Sequence, residues 1–140
     1  MAIYVKVLST AAPTLDKATE PQNDLFNIIP AETASSIYDL YTVPAGRCAT
    51  VTSIRLVNIS AAVVKVNVYF TRLTAPAVGN ANATPQPRRR QISPIDTAIA
   101  AGCVYIDDDE IVLEAGDRIQ AKADTAKAIH YHISGVEVDV

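Results

Sequence analysis

Tryptophan is missing from this 140-residue chain and phenylalanine occurs only twice, so flat aromatic platforms of the kind that stack on sugar rings are scarce, although six tyrosines remain. Methionine occurs once and leucine is sparse, which leaves the 49% apolar content to Val, Ile and Ala. The first two are β-branched and favour strands over helices. The two cysteines, Cys48 and Cys103, are too few and too far apart for a disulfide framework or a CxxC metal clamp. They are expected to be reduced and largely buried thiols. Charge is thin, with 12 basic and 15 acidic residues giving a net charge of −3. No general field attracts nucleic acid or anionic lipid, so either partner needs a local basic patch. The opening MAIYVKVLST carries Lys6 within its apolar stretch and fits neither a secretory signal nor a membrane span. The expectation is a soluble protein made in the cytoplasm. GxSxG, Walker and GxGxxG motifs are also lacking, which removes the usual signatures of a nucleophile elbow or a phosphate loop.

What is present is alternation. In AVVKVNVYFTR, Val64, Val66, Val68 and Phe70 point one way and Lys65, Asn67, Tyr69 and Thr71 the other, the pattern of a half-buried strand. CATVTSIRLVNIS precedes it, and the short polar join Asn58 to Ala62 predicts an antiparallel hairpin between the two. VPAG predicts a turn with Pro44 second and Gly46 fourth, linking a strand near Ile37 to Thr42 with one starting near Cys48. Further strands are expected at Val104 to Ile106, Ile111 to Leu113 and Arg118 to Ala123, separated by an acidic turn and by EAGD with its left-handed glycine. With the opening IYVKVLS and the closing run, about eight short strands and no helical periodicity predict a single all-β domain, a sandwich, barrel or jelly roll.

Two stretches resist this scheme. Residues 9–36 are rich in Ala, Thr and Pro around one apolar knot, Leu25-Phe26-Asn27-Ile28-Ile29, and read as a surface crossover, an arm docked on another subunit, or disorder. TAPAVGNANATPQPRRRQISP reads as an extended loop restricted by proline.

The chemical candidates are few. His130 and His132, in AIHYHISGVEVDV, share one strand face while Ile129, Tyr131 and Ile133 take the core side. An HxH pair can hold a metal, but a site needs a third ligand and no other histidine exists. The pair is therefore expected to face solvent or a neighbouring subunit. Beyond it, Gly135 predicts a bulge after which Val136, Val138 and Val140 face inward. Asp107 to Glu110 form an acidic run without EF-hand spacing, expected as a solvated hairpin tip. Arg88, Arg89 and Arg90 are the only basic run; they fit a solvated loop or an acidic patch on a protein partner better than phosphates. Asn58-Ile59-Ser60 and Asn82-Ala83-Thr84 match the glycosylation sequon without a secretory context.

YTVPAGRCATVTSIRLVNISAAVVKVNVYF, followed by LEAGDRIQAKA and HISGVEV, resembles small virion proteins of tailed bacteriophages. Those proteins share an aromatic or Thr before VPAG, a strand like ATVTSIRLVN, a second strand after a turn, then L-x-x-GD-x-I and a closing I-S-G-x-E. The correspondence covers Ile37 to Phe70 and Leu113 to Val138, and rests on order and spacing. In size and β content the chain is most similar to capsid cementing or decoration proteins of the kind Bordetella podophages carry. The resemblance implies a jelly-roll-like antiparallel β-sandwich that clamps the outside of an icosahedral head as a homodimer, bridging copies of the major capsid protein. It implies no catalysis and no cofactor, and the charge and the lack of a long uncharged run lead to the expectation of no nucleic-acid or membrane partner. Swapping of the strand Ile3 to Leu8 onto a partner is one route to the dimer. Candidate protein contacts are Leu25, Phe26, Ile28 and Ile29 in the arm, with Arg88, Arg89 and Arg90. Rival readings are a tail or head–tail connector component, a receptor- or glycan-binding module on the same scaffold, and a small cupin-type metalloprotein built on His130 and His132.

Overall fold

Val64, Val66 and Val68 lie fully inside, as their alternation demands, in a computed structural model that describes residues 3–7, 28–29, 37–74 and 86–140. Ten strand segments follow in chain order: β1 (Ile3–Val7), β2 (Tyr38–Thr42), β3 (Arg47–Asn58), β4 (Val64–Thr74), β5 (Gln86–Gln91), β6 (Thr97–Ile99), β7 (Val104–Asp107), β8 (Ile111–Leu113), β9 (Arg118–Ala123) and β10 (Ile129–Asp139). The first sheet runs β1-β10-β3, with β7 and β8 both paired to β3; the second runs β2-β9-β4, with β5 and β6 both paired to β4. All pairings among the described residues are antiparallel.

The ten segments fill eight strand positions. β7 pairs Ile54 to Val57 and β8 pairs Ala49 to Val51, so they are collinear halves of one edge strand rather than arms of a hairpin. The exposed acidic residues Asp108 to Glu110 join these two halves, where a hairpin tip was expected. β6 and β5 divide the edge of the second sheet in the same way, and Ser93 to Asp96 fill the break by bonding to Asn67 and Val68. β5 itself corrects the expected proline loop. Pro87 pairs opposite Leu73, a position that tolerates a missing N–H because the strand is an edge.

The expected hairpin between β3 and β4 is not formed, for the two strands belong to opposite sheets. Alternation fixes which face a side chain takes and says nothing about the partner strand. The connecting turn is held from the side by Asn58, whose buried amide donates to the carbonyls of Ala62 (2.7 Å) and Ile99 (2.8 Å) and accepts from Ser60. That sequon asparagine is a structural linchpin, 0% exposed. The VPAG turn also crosses between sheets. Its hydrogen bond runs from the Arg47 amide to the Pro44 carbonyl, so Gly46, at φ 75°, is third in the turn and not fourth. A positive φ at the third position defines a type II turn and calls for glycine.

Between the sheets lies one core, in which Ile29, Ile54, Leu56, Leu113, Ile119, Ile129 and Ile133 are essentially inaccessible. Truncating one such side chain to Ala costs about 2–5 kcal/mol. Ile28 and Ile29 belong to this body: they are 3% and 0% exposed, and the Ile29 amide donates to the Ile129 carbonyl (2.9 Å). Two of the arm residues expected to meet a partner are therefore buried in their own chain. Leu25 and Phe26 lie outside the described residues.

In β10, the inward parity of Ile129, Tyr131 and Ile133 continues unbroken to Gly135 and Glu137. The bulge expected at Gly135 sits on the partner strand instead. Ser134 pairs Ser53 and Gly135 pairs Val51, leaving Thr52 as the extra residue of β3. Glu137 is consequently inside, 1% exposed, accepting from the Tyr41 hydroxyl (2.7 Å) and ion-paired with Arg47 (2.7 Å). Val136 and Val138, expected inside, take the outer face.

Candidate functional site

The inward parity of β4 runs past the core. Phe70 and Arg72 follow Val64, Val66 and Val68, and β5 sets Arg90 opposite Phe70 and Arg88 opposite Arg72. Two arginines directly opposite repel each other unless one is compensated. Asp117 does this for Arg72 with a two-pronged pair, Nε to Oδ1 at 2.8 Å and Nη2 to Oδ2 at 2.6 Å, and Glu114 adds a weaker contact at 3.4 Å. Burial alone would raise the Asp117 pKa, but the Arg72 guanidinium and the Glu114 amide outweigh it and hold the carboxyl below its ordinary value. Among the described residues Arg88 and Arg90 have no carboxylate within ion-pair distance, and both are exposed.

These side chains form one wall of an open cleft of about 970 Å³ at the mouth between the sheets. Ile92 extends that wall and Ile111 of β8 forms the other, while Val112 borders the rim with its side chain on the outward parity of Thr50. Arg89 borders the cleft but alternates away from Arg88 and Arg90, lying over the Tyr69 ring (5.7 Å) and donating to Gln120 (3.2 Å). The cleft thus combines guanidinium forks, which match carboxylate or phosphate oxygens in pairs, with aliphatic and aromatic walls. It is equipped to bind an anionic group next to an apolar one.

A second surface lies on the outside of the first sheet. Register places Ile3 beside Val138, Val112 beside Thr50, Ile106 beside Arg55 and Val104 beside Val57. Ile3, Ile106 and Val112 are 64%, 54% and 69% exposed. These exposed aliphatic side chains, set around Arg55 and the histidines, are the largest uncovered apolar groups on that face among the described residues.

His130 and His132 sit on this outer face as expected, opposite Val57 and Arg55. Arg55 puts a cation beside His132, which disfavours a metal ion there, and among the described residues no group of three His, Cys, Asp or Glu is arranged to hold one. The cysteines depart from expectation: both are free thiols, but Cys48 is half-buried on the outward parity of β3 and Cys103 is exposed in the turn before β7.

The arginine run was visible in the sequence; its companions Phe70, Arg72, Ile111 and Val112 were missed. One signal existed for Arg72. A cation two residues beyond Phe70 on the inward parity means that the strand has left the core. Comparison with protein-family models, curated proteins and solved structures found no match to this chain.

Proposed function

We propose that the chain is a structural virion protein of a tailed bacteriophage, cementing the outside of an icosahedral capsid as a homodimer that joins neighbouring major capsid protein subunits. One observation carries this reading: a two-sheet sandwich presents two chemically distinct surfaces, the exposed aliphatic side chains on the outside of the first sheet and the cationic cleft, neither covered within the described residues. A protein that clamps needs two grips. When one dimer touches several subunits the second contact is effectively intramolecular, so modest individual contacts give firm attachment. The motif resemblance to virion proteins supports the same reading. So does the strand order, in which the chain passes from sheet to sheet at β1, β2, β3 and β4, the winding a jelly roll requires. β1 pairs with β10 of its own chain, and the same edge accepts a partner's strand in a swapped dimer.

The test is decoration of purified heads that lack the protein, read by co-sedimentation, with immunogold labelling of intact particles. The wild-type chain should saturate heads, and Ile106→Asp with Val112→Asp should weaken binding at least about tenfold with the thermal midpoint unchanged, since both side chains are exposed. Label confined to tails or connectors, or decoration unaffected by the double substitution, overturns the proposal.

A further inference from the structure

We propose that the cleft between β5 and β8 captures an acidic, extended segment of a partner protein, which adds as a strand to the open edge of β5. The inference rests on reading the protein as a binding module, but not on the capsid being the partner.

Among the described residues β5 hydrogen-bonds only to β4, so its other edge carries unused backbone donors and acceptors. Such an edge is a template for an incoming strand. Pro87 has no N–H to offer, which confines the new pairing to Arg88–Gln91. Arg88, Arg90 and Ile92 share one parity and line the cleft, with alternate side chains about 7 Å apart. An added strand repeats with the same period. Its cleft-facing positions should therefore read acid, acid, aliphatic in register with Arg88, Arg90 and Ile92. Arg72 is already neutralised by Asp117, so two uncompensated guanidinium groups call for two carboxylates.

The walls choose between anions. A nucleic acid strand offers phosphates at every step and nothing aliphatic for Ile92 and Ile111. It would also run against the exposed acids Asp108 to Glu110, which precede Ile111 at the rim. A peptide carrying two acids and then an aliphatic side chain keeps its charge on the β5 side.

The probe is a fluorescein-labelled peptide with Glu, Asp and Val at alternate positions and Thr between them, titrated with the full chain and followed by anisotropy. Saturable binding is expected. Arg88→Ala and Arg90→Ala should each weaken it about tenfold or more, the loss of a charge-assisted hydrogen bond. Arg55→Ala, the same charge change on the outer face of the first sheet, should leave it unaltered, and Asp in place of the peptide's Val should weaken it. Thermal unfolding of the variants by circular dichroism confirms that they fold; Arg88 and Arg90 are exposed and have no ion-pair partner among the described residues, so no loss of stability is expected. Absence of saturable binding up to about 1 mM overturns the proposal. It is equally overturned if the arginine variants bind like wild type, if an oligothymidylate displaces the peptide more effectively than unlabelled peptide does, or if Arg88→Ala abolishes self-association seen by sedimentation, which would make a second copy the occupant. Peptide binding without head decoration would remove the capsid reading and leave this one standing.

Discussion

On the outer face of the second sheet, Thr71 donates to Gln120, Gln120 donates to Asp39, and Arg118 and Arg89 close on the same two residues, so polar groups run from strand to strand as one chain. The outer face of the first sheet instead shows exposed Ile3, Val104, Ile106 and Val112 beside Arg55, His130 and His132, while the polar side chains of Glu137 and Tyr131 lie inside. A face that satisfies its own hydrogen bonds is finished and asks nothing of a partner. A face of exposed β-branched side chains lowers its free energy only when another surface covers it. Under the proposed function the second sheet serves stability and the first serves contact, and the difference shows that polar residues here were not simply placed outward.

The largest effect should come from the inverted residue. Glu137→Ala removes the acceptor of the Tyr41 hydroxyl and the carboxylate paired with Arg47. Breaking a buried pair from one side costs about 3–5 kcal/mol, a large share of a typical domain's stability. The unfolding free energy obtained from urea denaturation should fall by that amount with the m-value unchanged. Glu137→Gln keeps an acceptor for Tyr41 and should cost less. If Glu137→Ala shifts stability by under about 1 kcal/mol, the inner polarity of the first sheet is incidental.

The second sheet sharpens the comparison with a smaller number. Gln120→Leu leaves the Thr71 hydroxyl, the Arg89 Nε and an Asp39 oxygen without their shared partner. Unsatisfied polar groups cost about 1–3 kcal/mol when buried, and Thr71 is 2% exposed. The expected signature is lower stability with partner binding intact, the reverse of Ile106→Asp with Val112→Asp. Denaturation and head co-sedimentation on the same two variants should give that crossed result. Loss of binding in Gln120→Leu would show that the polar face is also a contact.

Much of this was legible because alternation states which face a side chain takes. Val64, Val66 and Val68, Ile119, Ala121 and Ala123, and Ile129, Tyr131 and Ile133 all point inward as their spacing requires. Alternation does not state which strand lies alongside, which is why β3 and β4 read as a hairpin although the chain crosses between sheets there. The outward turn of Val136 and Val138 was hidden for another reason. Hydrophobicity argues for burying valine, but the register inherited from Ile133 puts Glu137 inside, and Tyr41 and Arg47, some 90 residues away, make that tolerable. One trace of the bulge was readable: Thr52 and Ser53 interrupt the alternation between Val51 and Ile54. The cleft was half legible, its arginines adjacent in sequence and its apolar walls contributed by β4 and β8 from far along the chain.

The smallest effect at neutral pH, and the clearest in alkali, concerns Tyr131. Its ring is buried beneath the first sheet, its hydroxyl has no hydrogen-bond partner among the described residues, and burial pushes its pKa up to about 12. Tyr131→Phe deletes an oxygen that gains nothing from its surroundings, so stability at pH 7 should change by less than about 1 kcal/mol. Below pH 10 the phenol is neutral in both folded and unfolded chains and contributes no pH dependence. Between pH 10 and the raised folded pKa the unfolded chain releases the proton and the folded chain keeps it. Stability therefore falls as pH rises, by about 1.4 kcal/mol per unit. Tyr41, held neutral by burial and by donation to Glu137, pulls in the same direction and persists in the variant. Urea midpoints at neutral pH and at two alkaline values should give Tyr131→Phe a shallower alkaline decline than wild type. Parallel declines would mean that the Tyr131 hydroxyl reaches solvent or a partner, and that the interior of the first sheet holds one misplaced polar group, Glu137, instead of two.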